Sequence, residues 1–334
     1  MPLLPYCEDG IPLLDIALVM NFYFIDGFKY EVRERVIACL KEYNRITDSQ
    51  LRHWSCNVGD GKGRWKRYSS DATQSTAHAV LENNLPVHFL FYGGDHLESA
   101  SPFSVDCNLV PEWEQEKWFA QSFIRFRLPW TWFATNESDF PSFFHKFAST
   151  LQPRYGFGGV GFALSADSSE ASEMSPAVYR LAQTQPFLIV ENGYYDAEYL
   201  SQGIREGNFL TALDDDWAAR LGGVDVIEAA LGSEFIVRRY RNGLTIQAGT
   251  EPNPGGISIY QTVPDVGLDP GTTVKPLPIP NAAERYPLYH RLNQVLKPIR
   301  VPPDKFTGSL QRDSPNPTAF FDHAKSIEWM NRFD

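Results

Sequence analysis

Phe235-Ile236-Val237-Arg238-Arg239-Tyr240-Arg241-Asn242-Gly243-Leu244-Thr245-Ile246-Gln247-Ala248 is the stretch whose reading decides the fold. Two β-prone runs flank Asn242-Gly243, and Asn-Gly supplies the two positive-φ residues of a type I′ turn. The segment therefore predicts a β-hairpin, which commits this half of the chain to antiparallel pairing. Working outward, Leu14–Ile25 is an apolar run that only Asn21 interrupts, so it reads as a strand covered on both faces. Val87–Tyr92 and the glycine-rich Tyr155–Leu164 read as further strands, and Leu51–Cys56 as a returning one. Phe123–Phe133 reads as a long strand with Phe123, Arg125 and Arg127 on one face, and Pro129 inside it predicts an edge position or a bulge.

Helical periodicity lies between these runs. Val32, Val36, Leu40 and Tyr43 share a face of a helix from Tyr30 to Tyr43. Phe140, Phe143, Phe144, Phe147 and Leu151 recur at core spacing after Asp139. Ser175-Pro176 has the form of a helix start with Ser at the cap. Two more helices are expected at Ala283–Leu296 and Ala319–Trp329, the last burying Phe320, Ala324 and Ile327. Asp95–Glu114 lacks periodicity and reads as a loop, as does the Pro/Gly/Thr-rich Val266–Pro280. The expected fold is α+β: a mostly antiparallel sheet with helices packed on one face. Strand–helix–strand order in both Leu14–Tyr92 and Phe123–Leu164 suggests two similar lobes, residues 1–115 and 116–334, with one continuous domain as the alternative.

Composition narrows the function. The 334 residues are 43% hydrophobic and carry a formal charge of −11, which argues against nucleic acid as a direct ligand and suits a basic partner. Simple solubility accounts for the same charge. Cys7, Cys39, Cys56 and Cys107 lie far apart with no CxxC pair, which fits a reducing compartment. Met1-Pro2-Leu3-Leu4-Pro5 is no secretory signal, and no apolar run approaches the roughly 20 residues of a spanning helix. A cytoplasmic protein with no membrane contact is expected.

The search for chemistry is negative. The seven histidines have no metal-ligand spacing, Gly59–Arg64 lacks the phosphate-loop frame, and no GxSxG elbow occurs. No catalytic residue, cofactor or metal is therefore expected. A hydrolase using dispersed carboxylates is the alternative, and it requires an enclosed pocket holding two acids of divergent pKa. Asp214-Asp215-Asp216 reads either as an acidic knob for a basic partner or as the first turn of a helix before Trp217, where Asp caps free N–H groups. Gln247-Ala248-Gly249 points to close packing at a sheet end, and Arg300 to a buried clamp on a carboxylate or on loop carbonyls.

Three landmarks, Asn208–Gly223, Gln247–Pro252 and Tyr289–Arg300, together with Phe22–Asp26 and the helix through Leu40, resemble the DUF3396 (TsiV-like) family of type VI secretion immunity proteins. Members commonly carry an aspartate after the glycine that follows the Ala-Gly-x-x-Pro step. Asn253-Pro254-Gly255-Gly256 has glycine there, so no role of that carboxylate carries over. The resemblance implies an immunity protein that binds a cognate effector, a basic nuclease in the expectation, and occludes its active site without turnover. The acidic contacts would then be Asp214, Asp215, Asp216 and Glu251. The landmarks themselves are expected to build the scaffold, because the partner-facing surface should vary with the toxin.

Overall fold

The computed structural model describes residues 6–8, 10–47, 50–59, 63–118, 120–135, 139–191, 200, 202–255, 286–306, 308–311, 314–316 and 318–334. Its strands are β1 (Tyr6–Glu8), β2 (Ile11–Phe24), β3 (His53–Val58), β4 (Lys66–Arg67), β5 (Val87–Tyr92), β6 (Ser104–Leu109), β7 (Ser122–Pro129), β8 (Tyr155–Leu164), β9 (Leu210–Asp214), β10 (Phe235–Tyr240) and β11 (Gly243–Ala248). They form one antiparallel sheet in the order β10-β11-β9-β8-β2-β7-β6-β5-β3-β4, with β1 added to the start of β2. The sheet is continuous across residues 115 and 116, because β2 pairs with both β7 and β8.

The helices are α1 (Tyr30–Thr47), α2 (Ala72–Leu81), α3 (Glu112–Trp118), α4 (Trp130–Thr135), α5 (Asp139–Leu151), α6 (Ser168–Glu173), α7 (Ser175–Thr184), α8 (Asp215–Arg220), α9 (Val224–Leu231), α10 (Pro287–Leu296) and α11 (His323–Met330). Side chains alternate along β2, so Met20 and Phe22 face one way and Val19 and Tyr23 the other. On the first face Phe22 packs 4.9 Å from Phe144 of α5, and Phe126, which pairs with Met20, meets Phe147 of α5 at 4.6 Å and Tyr43 of α1 at 5.4 Å. Each buried ring contributes about 1.5–3 kcal/mol, and this aromatic seam holds the expected helical layer in place. The second face is covered as well, as the unbroken apolar run of β2 implies. Tyr23 stacks on Tyr155, Ile189 lies against Gly159 and Gly161, and α8 and α10 pack under β9 and β11.

Several local readings need correction. The hairpin forms, but Tyr240 pairs with Gly243, so the loop residues are Arg241 and Asn242, and neither they nor Gly243 has positive φ. The turn is therefore not type I′. Gly243 is required for another reason: a Cβ there would lie 2.2 Å from the Leu213 carbonyl oxygen and 2.6 Å from the Tyr240 hydroxyl, which donates to that same carbonyl. Pro129 ends β7, a central strand, where its missing N–H costs the ladder little. Asp95–Glu114 contains β6, whose Val105, Cys107 and Leu109 alternate with Ser104, Asp106 and Asn108, and the start of α3. Met174, not Ser175, stands at the cap of α7, and α11 buries Ser326, Trp329 and Met330 while Ala324 is exposed. Val266–Pro280 lies outside the described residues. The four cysteines are free thiols, Cys39 and Cys107 buried.

Gly243→Ala should lower stability by about 1–3 kcal/mol, since backbone Leu213 cannot move away without breaking the β9–β11 ladder. Urea unfolding of the two proteins measures the difference.

Candidate functional site

The register gathers a defined set of loops at one end of the sheet. Phe24 pairs with Ser122, Asn108 with Phe123, Tyr23 with Tyr155, Tyr155 with Leu213, and Asp214 with Gly243. The turn after β2, helix α3, the Asp214 run and the hairpin tip therefore share that end. Asp214 is the N-cap of α8: its carboxylate accepts from the Trp217 N–H at 2.8 Å and lies 3.4 Å from the Arg154 Nε. Burial pushes its pKa up against those two partners. Asp215 and Asp216 are exposed in the first helical turn, with Asp215 3.6 Å from Arg239. Glu251 is also exposed, but it follows β11 at the opposite end of the β9–β11 ladder. Four residue steps of about 3.4 Å separate the two ends of that ladder. The structure keeps the aspartates together and Glu251 apart from them.

Helix α3 is the feature that sequence reading missed. None of its residues is buried, and Trp113 and Trp118 are each 53% exposed, their rings 5.2 Å apart and nearly perpendicular. It is fastened to the turn after β2: Gln115 Oε1 accepts from the Asp26 N–H at 2.6 Å, and Gln115 Nε2 donates to Asp26 Oδ1 at 3.2 Å. Asp26 itself has φ 64°, a left-handed conformation that this exchange helps to hold. A signal was present. Tryptophans five residues apart lie about 140° apart around a helix, so Glu112–Trp118 cannot bury both on one apolar stripe.

Behind the sheet, on the face of Arg125 and Arg127, lies a cavity of about 390 Å³. Asp106 accepts from His88 Nε2 at 2.9 Å and pairs with Arg125, while Glu191 pairs with Arg127. Arg127 also donates to the Phe162 carbonyl at 3.0 Å. Burial opposes charge on both acids. Arg125 and His88 nevertheless hold Asp106 well below the usual carboxylate range, and Arg127 and Arg125 lower Glu191. Both shifts run in the same direction. Among the described residues no group of three or more His, Cys, Asp or Glu is placed to hold a metal. No described helix is long and apolar enough to cross a membrane.

A second, fully buried charge cluster lies beside the landmark Tyr289–Arg300, whose Asn293 and Arg300 bond the backbone of Gly207 and Arg205. Glu206 and Arg205 have no exposed side-chain surface, and Arg332 grips Glu206 through two bonds of 2.9 and 3.1 Å while Arg205 adds a third of 3.1 Å. Arg300 is the clamp foreseen: it bonds the Arg205 carbonyl at 3.2 Å, Asp334 at 2.6 Å, Asn331 at 3.1 Å and the Met330 carbonyl. Asn293 of α10 accepts from the Gly207 N–H at 2.9 Å and donates to its carbonyl at 3.0 Å. Asn208, Tyr289, Leu292 and Leu296 are all buried. A family model described as TsiV, type VI immunity for VRR-NUC, matches residues 35–333.

The chain belongs to the TsiV family. Its fold is similar to that of a solved structure, the Pseudomonas aeruginosa T6SS protein PA0821, with a TM-score of 0.81 at 23% identity over 98% of this chain and 84% of that one. Comparison with curated proteins gave no match. Within this TsiV-family chain half of the residues of the landmarks Asn208–Gly223 and Tyr289–Arg300 are buried, and α8 presents its outer turn to solvent. The position after Gly255 lies outside the described residues.

Burial opposes the charge of Glu206, but Arg332 and Arg205 outweigh it and hold the carboxyl down at about 2, against 4.5 for an ordinary glutamate. The folded state therefore binds the proton less readily than the unfolded chain. The stabilisation is complete above about pH 4.5 and is lost as pH falls toward 2. Urea unfolding between pH 6 and pH 2.5 should show that decline. Glu206→Gln should cost about 3–5 kcal/mol at neutral pH, by stranding two buried arginines, and should make the decline shallower.

Proposed function

We propose that this chain binds one VRR-NUC nuclease effector of a type VI secretion system and inactivates it by covering its active site, in the cytoplasm of the cell that makes both. The observation that carries this reading is the family match over residues 35–333. The net charge of −11 supports it, because an enzyme that grips DNA needs a basic face and opposite charge speeds encounter. Carboxylates on the rim of the sheet, Asp215 and Asp216 among them, would stand where DNA phosphates otherwise sit. The hydrolase alternative finds less support. Its requirement was two acids of divergent pKa in one pocket, whereas Asp106 and Glu191 are both lowered by arginine partners.

The test is a titration. Increasing amounts of the protein are added to a fixed amount of the VRR-NUC effector encoded beside it, and DNA cleavage is followed. Cleavage should fall linearly to an end point at one equivalent, the pair should copurify one to one, and coexpression should restore growth. An end point far below one equivalent would reveal turnover and favour an enzyme. Absence of both binding and rescue would overturn the immunity reading.

A further inference from the structure

The end of the sheet that carries α3 has the makings of a contact surface. Trp113 and Trp118 are each half exposed, and Ile25 and Tyr30, on the neighbouring turn and the start of α1, are 39% and 53% exposed. Aromatic side chains left in water at this density mark protein contacts more often than they serve the fold. Neither tryptophan is a core residue, since no residue of α3 is buried. A groove of about 380 Å³ continues the surface from Ile25 and Glu31 past Gln152 to Asn242 at the hairpin tip. Its other margin is the turn that bears Asp215, whose N–H donates to the Asn242 carbonyl.

Two further properties bear on what sits there. The first is rigidity. The reciprocal bonds between Gln115 and Asp26 fix α3 to the sheet, and Lys29 closes on Asp26 at 2.8 Å, so the tryptophans are held in place before any partner arrives. The second is charge. Glu112 and Glu116 are exposed on α3 and Glu31 and Glu34 on the start of α1, Lys29 and Arg35 line the groove, and Lys117 is drawn over the Trp118 ring. An apolar centre ringed by carboxylates is complementary to a basic protein surface.

Resting on the immunity reading, we propose that this end of the sheet is the surface that meets the effector, with Trp113 and Trp118 as the anchors and the surrounding carboxylates opposed to the basic DNA-binding face of the nuclease. The acidic run at Asp215 and Asp216 lies at the far margin of the same surface, and Glu251 lies off it. This places the strongest contacts on α3, apart from the landmarks Asn208–Gly223, Gln247–Pro252 and Tyr289–Arg300, although within the residues 35–333 that the family model matches.

The experiment compares wild type, W113A/W118A, E112Q/E116Q and E251Q for binding to an active-site-inactivated form of the neighbouring VRR-NUC effector, by calorimetry and by association kinetics at two salt concentrations. Thermal melting should be unchanged in E112Q/E116Q and E251Q, whose side chains are exposed, and W113A/W118A is compared well below its own melting temperature. W113A/W118A should weaken binding by about 30-fold or more. E112Q/E116Q should slow association and reduce its salt dependence, and E251Q should bind as wild type does. Wild-type affinity in W113A/W118A would overturn the proposal while leaving the immunity reading intact. A wild-type dimer that W113A/W118A converts to a monomer, seen by light scattering, would assign the surface to a second copy and overturn it too. If wild type fails to bind the effector, both readings fall together.

Discussion

A single carboxylate with no access to water organises the C-terminal half. Glu206 is buried among Arg205 and Arg332, and moving ions of that size out of water costs several kcal/mol each unless every hydrogen-bonding position is used. The surroundings meet that demand. Arg205 donates to the Val190 carbonyl, Arg332 to the carbonyls of Trp329 and Pro186, and Tyr155 to the carbonyl of Glu206 itself. Residues 186–190, 204–209 and 329–334 each depend on the others being present. A cluster of this kind adds less to net stability than an equal volume of hydrocarbon would, but only one arrangement of the chain satisfies it.

Much of this was open to reading along the chain, and the parts that were not share physical causes. Val87–Tyr92 and Tyr155–Leu164 stand where their composition places them, and the phenylalanine spacing of Phe140–Leu151 is that of a helix on a core. These elements are strongly periodic and bury a full face. The errors cluster where local preference competed with a neighbour invisible in one dimension. Asn242-Gly243 has the composition of a type I′ turn, yet Tyr240 folds over Gly243 and the turn closes one residue earlier. β6 was hidden because its polar residues look like loop composition until Asp106 is seen to meet Arg125 and His88.

The candidate surface was less legible than the fold for a related reason. Sequence patterning treats tryptophan as core material, and only the packed sheet shows that Trp113 and Trp118 have no core to enter. The aspartates drew attention because acids suit a basic partner, although Asp214 is occupied with capping α8. Arg300 was legible because a basic residue after Lys297-Pro298-Ile299 has few interior roles besides gripping backbone carbonyls and carboxylates. The interior is thus where charge is used for architecture. The rim is where charge and aromatic surface are left unspent.

The central place of β2 has a consequence for the order of events during synthesis. Its residues, 11–24, leave the ribosome early, but its two hydrogen-bonded neighbours are residues 122–129 and 155–164. At about 5–20 residues per second, about 7–28 s separate the emergence of this strand from that of its second partner. During that interval a long apolar strand has both edges open until residues 122–129 emerge and one edge open thereafter, and α1, following immediately, can shield only one of its faces. A nascent chain of this design relies on chaperones, or on transient collapse over α1, until residue 164 has cleared the exit tunnel.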